Sequence, residues 1–242
     1  MKHSFHPHPI VWNRQYAERF WNFLSAREDY VDNNFASLVG DTLIKLARRQ
    51  GIPLSGKILD FGCGPGVFLE KLLTAGAICQ GVEISPATAE MAAQRLQHHP
   101  RFLGVTLLND LPLPMNDNTF DAVFLLETIE HLLNEELEAV LRELWRILTP
   151  GGRILVTTPN EEYLIPGQVI CPECGCIFHR GQHVRSWNRD SLCSLMDTHA
   201  FRTDLCKALT LRPASKLNFL RNVLTAIRRH KKMNLIYIGR KP

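Results

Sequence analysis

Between residues 11 and 50 the apolar side chains recur at helical spacing: Val11, Trp12, Tyr16, Phe20 and Phe23, then Leu38, Leu43 and Leu46. No strand-like run interrupts them, so the pattern predicts two or three helices that form an N-terminal cap over residues 1–50. Gly51-Ile52-Pro53 closes that region. From Lys57 the pattern changes to short runs, apolar on both faces, alternating with helical stretches, which is the rhythm of a buried parallel sheet. The predicted strands are Lys57–Phe61, Cys79–Ile84, Val105–Leu108, Ala122–Leu126 and Arg153–Thr157. Residues 161–187 break the alternation with Pro, Gly, Cys and His, and read as an insertion that needs its own stabilisation. A helix over Asp190–Thr198 and strands over Arg202–Lys207 and Asn234–Gly239 carry the C-terminal part, 188–242. The expected fold is α/β and Rossmann-like: a mostly parallel seven-stranded sheet with helices on both faces, its core at 51–160.

Composition sharpens this picture only slightly. With 45% hydrophobic and 21% charged residues the chain is an ordinary globular protein, and a net charge of +4 is too small and dispersed to argue nucleic-acid binding. No window reaches the roughly eighteen apolar residues of a membrane span, and the first residues lack a signal-peptide pattern, so a cytoplasmic location is expected. Of seven cysteines, Cys171, Cys174 and Cys176 crowd into one short stretch, which points to metal binding in a reducing compartment.

The segment KILDFGCGPGVF places Asp60, Gly62, Cys63, Gly64 and Gly66 where a buried strand turns into a helix. Glycines there allow positive φ and let a ligand approach the main chain, while the helix start offers unpaired N–H groups. The spacing D-x-G-x-G-x-G departs from the G-x-G-x-x-G of dinucleotide folds. Glu83, followed by Ile84, ends the next strand, where a carboxylate can accept both ribose hydroxyls. Asn109 and Asp110 end a third and can meet an adenine edge.

Past the fourth strand, Glu127, Glu130 and His131 spell E-T-I-E-H. If a helix starts here they share one face, and two carboxylates with an imidazole suit a divalent cation such as Mg²⁺, Mn²⁺ or Zn²⁺. Without a metal, His131 is the first choice for general base. In the insertion, Cys171, Cys174, His179 and His183 have the Cys-x2-Cys-x4-His-x3-His spacing of a zinc knuckle. Cys176 can replace one histidine, which would release His183 to the Glu127, Glu130, His131 site.

DFGCGPG, GVEIS, FDAVFLLETIEHL and LTPGGRILVTTPN together resemble the class I S-adenosylmethionine-dependent methyltransferases over roughly residues 57–160. That resemblance implies that the glycine loop and Asp60 hold the methionine end, Glu83 the ribose, and Asn109 or Asp110 the adenine. E-x-x-E-H is similar to the run in ubiquinone-biosynthesis O-methyltransferases and small-RNA terminal 2′-O-methyltransferases, where it implies a metal gripping the acceptor oxygens. The expectation is O-methylation of a small or lipid-linked acceptor, in a pocket with Tyr16, Trp21, Phe178 and Trp187 as candidate aromatics. The alternatives are an RNA ribose 2′-O-methyltransferase and a non-catalytic cofactor-binding module. The basic stretch Arg221–Lys232 reads as an amphipathic helix able to touch a membrane surface or RNA phosphates.

Overall fold

The structure is a computed structural model that describes residues 5–25, 27, 29–212 and 233–242. Arg221–Lys232, the basic stretch, lies outside the described residues. The N-terminal part holds a two-residue strand β1 (His8–Pro9) and helices α1 (Arg14–Ser25), α2 (Tyr30–Asn33) and α3 (Phe35–Arg49). The core follows as β2 (Lys57–Phe61), α4 (Val67–Thr74), β3 (Ile78–Glu83), α5 (Pro86–Leu96), β4 (Phe102–Leu107), β5 (Phe120–Leu126), α6 (Asn134–Ile147) and β6 (Leu148–Pro159). A hairpin of β7 (Gln168–Ile170) and β8 (Cys176–His179) leads to α7 (Arg189–Thr198), β9 (Arg202–Leu209) and β10 (Asn234–Arg240).

Seven strands form one sheet in the order β4-β3-β2-β5-β6-β10-β9. β10 runs antiparallel to both β6 and β9, while the pairs from β4 through β6 are parallel. Alternation within each strand feeds two cores. Leu59, Phe61, Val123 and Leu125 pack with Leu137, Val140, Leu141 and Leu144 of α6 and Leu192 and Met196 of α7. Ile58, Ala122 and Phe124 pack with Val39, Leu43 and Ala47 of α3 and Phe68 and Leu72 of α4. Burial on both faces is why these strands read as continuous apolar runs.

Caps mark the helix starts that the sequence signals: Asn34 accepts from Ser37 N at 2.8 Å, Ser85 from Thr88 N at 3.1 Å, and Asn188 from Ser191 N at 2.8 Å. The cap region departs from expectation at its start. His8–Pro9 pair in parallel with β8 and complete a small second sheet, β1-β8-β7. That pairing is decided by the distant hairpin edge, and local periodicity carries no sign of it.

Candidate active site

From β2 the chain adds β3 and β4 on one side, and from β5 it adds β6 on the other, so the sheet order reverses between β2 and β5. The carboxyl ends of strands at such a switch leave a crevice between diverging connections, where open α/β sheets bind ligands. A cleft of about 400 Å³ opens there, lined by Gly62, Cys63, Gly64, Glu83, Glu127 and His131 among others. α1 and α2 roof it through Trp21 and Tyr30.

Beneath the roof, the glycine turn is shaped by close contact. Gly62 stands at φ +76°, and a Cβ there would lie 2.5 Å from Thr128 Oγ1. Gly66, at φ +80°, precedes α4 with its missing Cβ against Ala92. Glu83, 7% exposed, ties the loop to its own strand end. One carboxylate oxygen accepts from Gly64 N at 2.9 Å, and the other from Ile84 N at 2.8 Å and Ser85 N at 3.0 Å. Burial raises the Glu83 carboxyl while those three N–H groups oppose the rise. Asp60 lies fully beneath the loop, and burial, then the charge of Glu83, pushes it up to about 8. Asp60 and Gly66 thus shape the cradle from below, whereas Gly62, Cys63, Gly64, Glu83 and Ile84 face the cleft.

Asn109 and Asp110 do not line the cleft: they stand exposed beyond β4, and Leu108 and Leu111 form the wall there. Of the expected aromatics, Trp21 faces the cleft, with its ring 4.9 Å from that of His131 and its Nε1 donating to Gln182 Oε1 at 3.0 Å. Tyr16 is exposed, Phe178 packs edge-on to Trp12, and Trp187 belongs to the core. Tyr30, Gln182 and Glu162 went unnoticed in the sequence, because only the folded chain brings them to the site.

Glu130 and His131 do come together, but not on a helix, and Glu127 is not among the ligand atoms grouped with them. Glu127 leaves β5 at φ +47°, a left-handed conformation for a non-glycine residue. The turn that follows closes with His131 N donating to Thr128 O at 3.0 Å, and α6 begins only at Asn134. This turn buries Glu130 at 1% exposure with Oε2 accepting from Thr158 Oγ1 at 2.9 Å. Among the described residues, Glu130 Oε1 and Glu127 Oε1 have no hydrogen-bond partner. Burial raises both carboxyls, Glu127 to about 7 and Glu130 well above the ordinary range, with the charge of Glu127 adding to the latter.

His131 Nδ1 lies 3.3 Å from Gln182 O. A carbonyl only accepts, so Nδ1 carries the proton and Nε2, 3.9 Å from Glu130 Oε1, keeps its lone pair. Burial and the neighbouring His183 lower His131 to about 3. A neutral imidazole of this kind can serve as a metal ligand. His183 bonds through Nδ1 to Glu162, which fixes the orientation of its ring.

The insertion does not assemble the expected Cys2His2 knuckle. His183 joins Glu130 and His131 in one group of potential ligands and Glu162 and His179 in another, each with its ligand atoms within 4.8 Å of one another. Neither group contains a cysteine. The reason is geometric: Cys171, Cys174 and Cys176 sit at the hairpin tip, while β8 carries His179 three residues, roughly 10 Å, down the strand.

Residues 59–156 match the family described as "Methyltransferase domain". The chain is 30% identical over 194 residues to the mitochondrial ubiquinone biosynthesis O-methyltransferase of Rattus norvegicus, covering 73% of this chain and 54% of that protein. It thus spans about half the length of the curated relatives it matches first. Among solved structures, the [4+2]-cyclase SpnF superposes with a TM-score of 0.68 at 17% identity over 99% of each chain. The 1,6-didemethyltoxoflavin-N1-methyltransferase of Burkholderia thailandensis, solved with S-adenosylhomocysteine, gives 0.66 at 16% identity over 98% of this chain and 94% of that one. At such identities the likeness establishes the fold, and a cyclase sharing it with an N-methyltransferase means that the fold does not choose the reaction. Residues 59–156 thus match the methyltransferase-domain family, and the seven-stranded sheet has the Rossmann-like fold of solved S-adenosylmethionine-dependent methyltransferases.

Proposed function

We propose that the protein transfers the methyl group of S-adenosylmethionine to a hydroxyl oxygen of a small or lipid-linked acceptor, with a divalent cation held by Glu127, Glu130, His131 and His183. The observation that carries this reading is the pair of buried oxygens without a partner among the described residues, Glu127 Oε1 and Glu130 Oε1, the latter 3.9 Å from His131 Nε2. Buried polar atoms without partners are rare, and a site with several of them calls for an ion or a ligand. Two carboxylate oxygens and two imidazoles form a suitable donor set. When bound there, a divalent cation supplies Lewis acidity that favours the ionised form of an acceptor hydroxyl.

The chain's own residues do the rest. Glu83 and the glycine turn position the nucleoside, Asp60 supports the turn, and the roof formed by Trp21 and Tyr30 excludes water above the cleft. Methyl transfer is an in-line displacement governed by such positioning. Leu24, Phe35, Leu108, Leu111, Leu132 and Val140 give the cleft apolar walls. These walls and the enclosed volume favour an aromatic or prenylated acceptor over an RNA ribose. The relative that acts in ubiquinone biosynthesis points the same way.

The test is transfer of labelled methyl groups to a panel of catechols and prenylated phenols, with Mg²⁺, Mn²⁺ or Zn²⁺ added back after EDTA. Transfer that needs the cation and disappears in Glu130→Ala, while S-adenosylhomocysteine still binds, is the expected result. Transfer indifferent to both EDTA and Glu130→Ala would refute the role of the cation. Cofactor binding without turnover on any oxygen acceptor would refute the reaction.

A further inference from the structure

We propose that the tip of the β7–β8 hairpin and the N-terminal arm together hold one structural zinc ion through Cys171, Cys174, Cys176 and His8. The site is separate from the acceptor pocket and does not depend on the proposed reaction.

Strand register supplies the first part of the argument. The antiparallel pairing Ile170↔Ile177 continues one residue further, where Cys171 N donates to Cys176 O at 2.8 Å. Residues opposite each other across a ladder project to the same face, so Cys171 and Cys176 stand side by side. On the other edge of β8 the parallel pairing His8↔Cys176 puts His8 on that face too. Three residues on three adjacent strands thus present two thiols and an imidazole in one row.

Turn chemistry adds the third thiol. Gly175 N donates to Cys171 O at 2.9 Å, and Gly175 takes φ +79°, a left-handed conformation that folds the chain back sharply. Cys174 is thereby carried back toward Cys171 and Cys176.

The tautomer of His8 is set as well. Its Nδ1 lies 2.9 Å from His6 O, and since a carbonyl can only accept, the proton is on Nδ1 and Nε2 keeps its lone pair. The arm is pressed against the turn, since a Cβ on Gly175 would sit 2.4 Å from His6 O. Backbone bonds from His8 N to Gly175 O at 3.0 Å and from Ile10 N to Ile177 O at 2.9 Å hold it there.

Apolar burial gives this small sheet little support. All three residues of β7 are exposed, as are His8 and Pro9. An edge of so few residues is not stable by itself, and an ion ligated from both of its parts provides what a core does not. Three thiolates and one imidazole make a closed tetrahedral set whose softness selects zinc over magnesium or manganese. No three of these ligand atoms lie within 4.8 Å of one another among the described residues. Binding therefore draws the tip and the arm together, so the ion acts as a clasp that steadies α1 over the cleft.

The experiment uses the full chain without an affinity tag, purified without chelator. Zinc is measured by mass spectrometry of the metal, and ligand type by the absorption spectrum of the Co²⁺-substituted protein. One zinc per chain is expected in the wild type, lost in Cys171→Ser, Cys174→Ser and Cys176→Ser but kept in Glu130→Ala. His8→Ala should weaken zinc in chelator competition by about tenfold or more and shift the Co²⁺ spectrum, whereas His6→Ala should do neither. Circular dichroism and S-adenosylhomocysteine binding confirm that each variant is folded. A wild type that takes up no zinc with its thiols reduced, or that carries a Cys171–Cys174 disulfide, overturns the proposal. So does zinc that survives Cys176→Ser yet leaves with His179→Ala, or an unchanged spectrum in His8→Ala.

Discussion

Glu83→Gln separates the two tasks assigned to that carboxylate. In the structure its two oxygens accept from three backbone N–H groups, those of Gly64, Ile84 and Ser85, at 2.8 to 3.0 Å. A glutamine keeps one acceptor oxygen. If that oxygen serves Ile84 and Ser85, the amide nitrogen meets the Gly64 N–H, donor against donor, and one buried donor is left unpaired at a cost of about 1–3 kcal/mol. For a chain of this length that loss lowers Tm by about 2–12 °C. The second effect falls on the cofactor. A ribose hydroxyl bonded to a carboxylate contributes about 1.5–3 kcal/mol, and losing it weakens binding by about 10–150-fold. Calorimetric titration with S-adenosylhomocysteine reads the second effect, and differential scanning calorimetry without ligand reads the first. An unchanged Kd in a folded variant would refute the assignment of Glu83 to the ribose. An unchanged Tm would refute its role in holding the glycine turn.

Gly62→Ala is expected to destabilise the fold, with about 1–2 kcal/mol from the left-handed backbone and about 1–3 kcal/mol from overpacking against Thr128, read by urea denaturation; stability equal to wild type would contradict the packing. Asp60→Asn tests a pH dependence. The native state keeps the proton up to about 8 whereas the unfolded chain releases it near 3.9, so the contribution of Asp60 falls as pH rises between those values and is level above them. The variant should therefore gain on wild type between pH 5 and pH 8, and parallel stability curves would count against a buried, protonated Asp60. Glu162→Gln is expected to weaken Mn²⁺ binding by about 10–100-fold while S-adenosylhomocysteine binding stays unchanged, because Glu162 orients His183 without touching the nucleoside cradle; equal Mn²⁺ affinity would remove Glu162 from the site.

The parts legible in the amino-acid order are those whose cause is local. Runs such as Val123–Leu126 and Ile154–Val156 are apolar at every step because both faces are covered, and that pattern alone announces a parallel sheet. Three glycines and Asp60 within seven positions, with an acid at the next strand end, mark a ligand turn because backbone sterics act over neighbouring residues. E-T-I-E-H was readable as a constellation, though the geometry inferred for it was wrong. A left-handed Glu127 and a tight turn, not a helix, bring Glu130 and His131 together, since burial beside Thr157 and Thr158 outweighs helical spacing.

What only the tertiary structure decided involves partners far apart in the chain. His183 and Glu162 reach the acceptor site because the insertion folds back over the strand tips, and Trp21 reaches it because α1 lies across them. Asn109 and Asp110 turn outward although their position matched an adenine contact. The division of the cysteines from His179 and His183 follows from the length of β8, and the pairing of His8 with Cys176 from an open strand edge. Spacing along a chain limits which groups can meet, but the choice among them is made by burial and by which edges remain unpaired, and both are properties of the assembled fold.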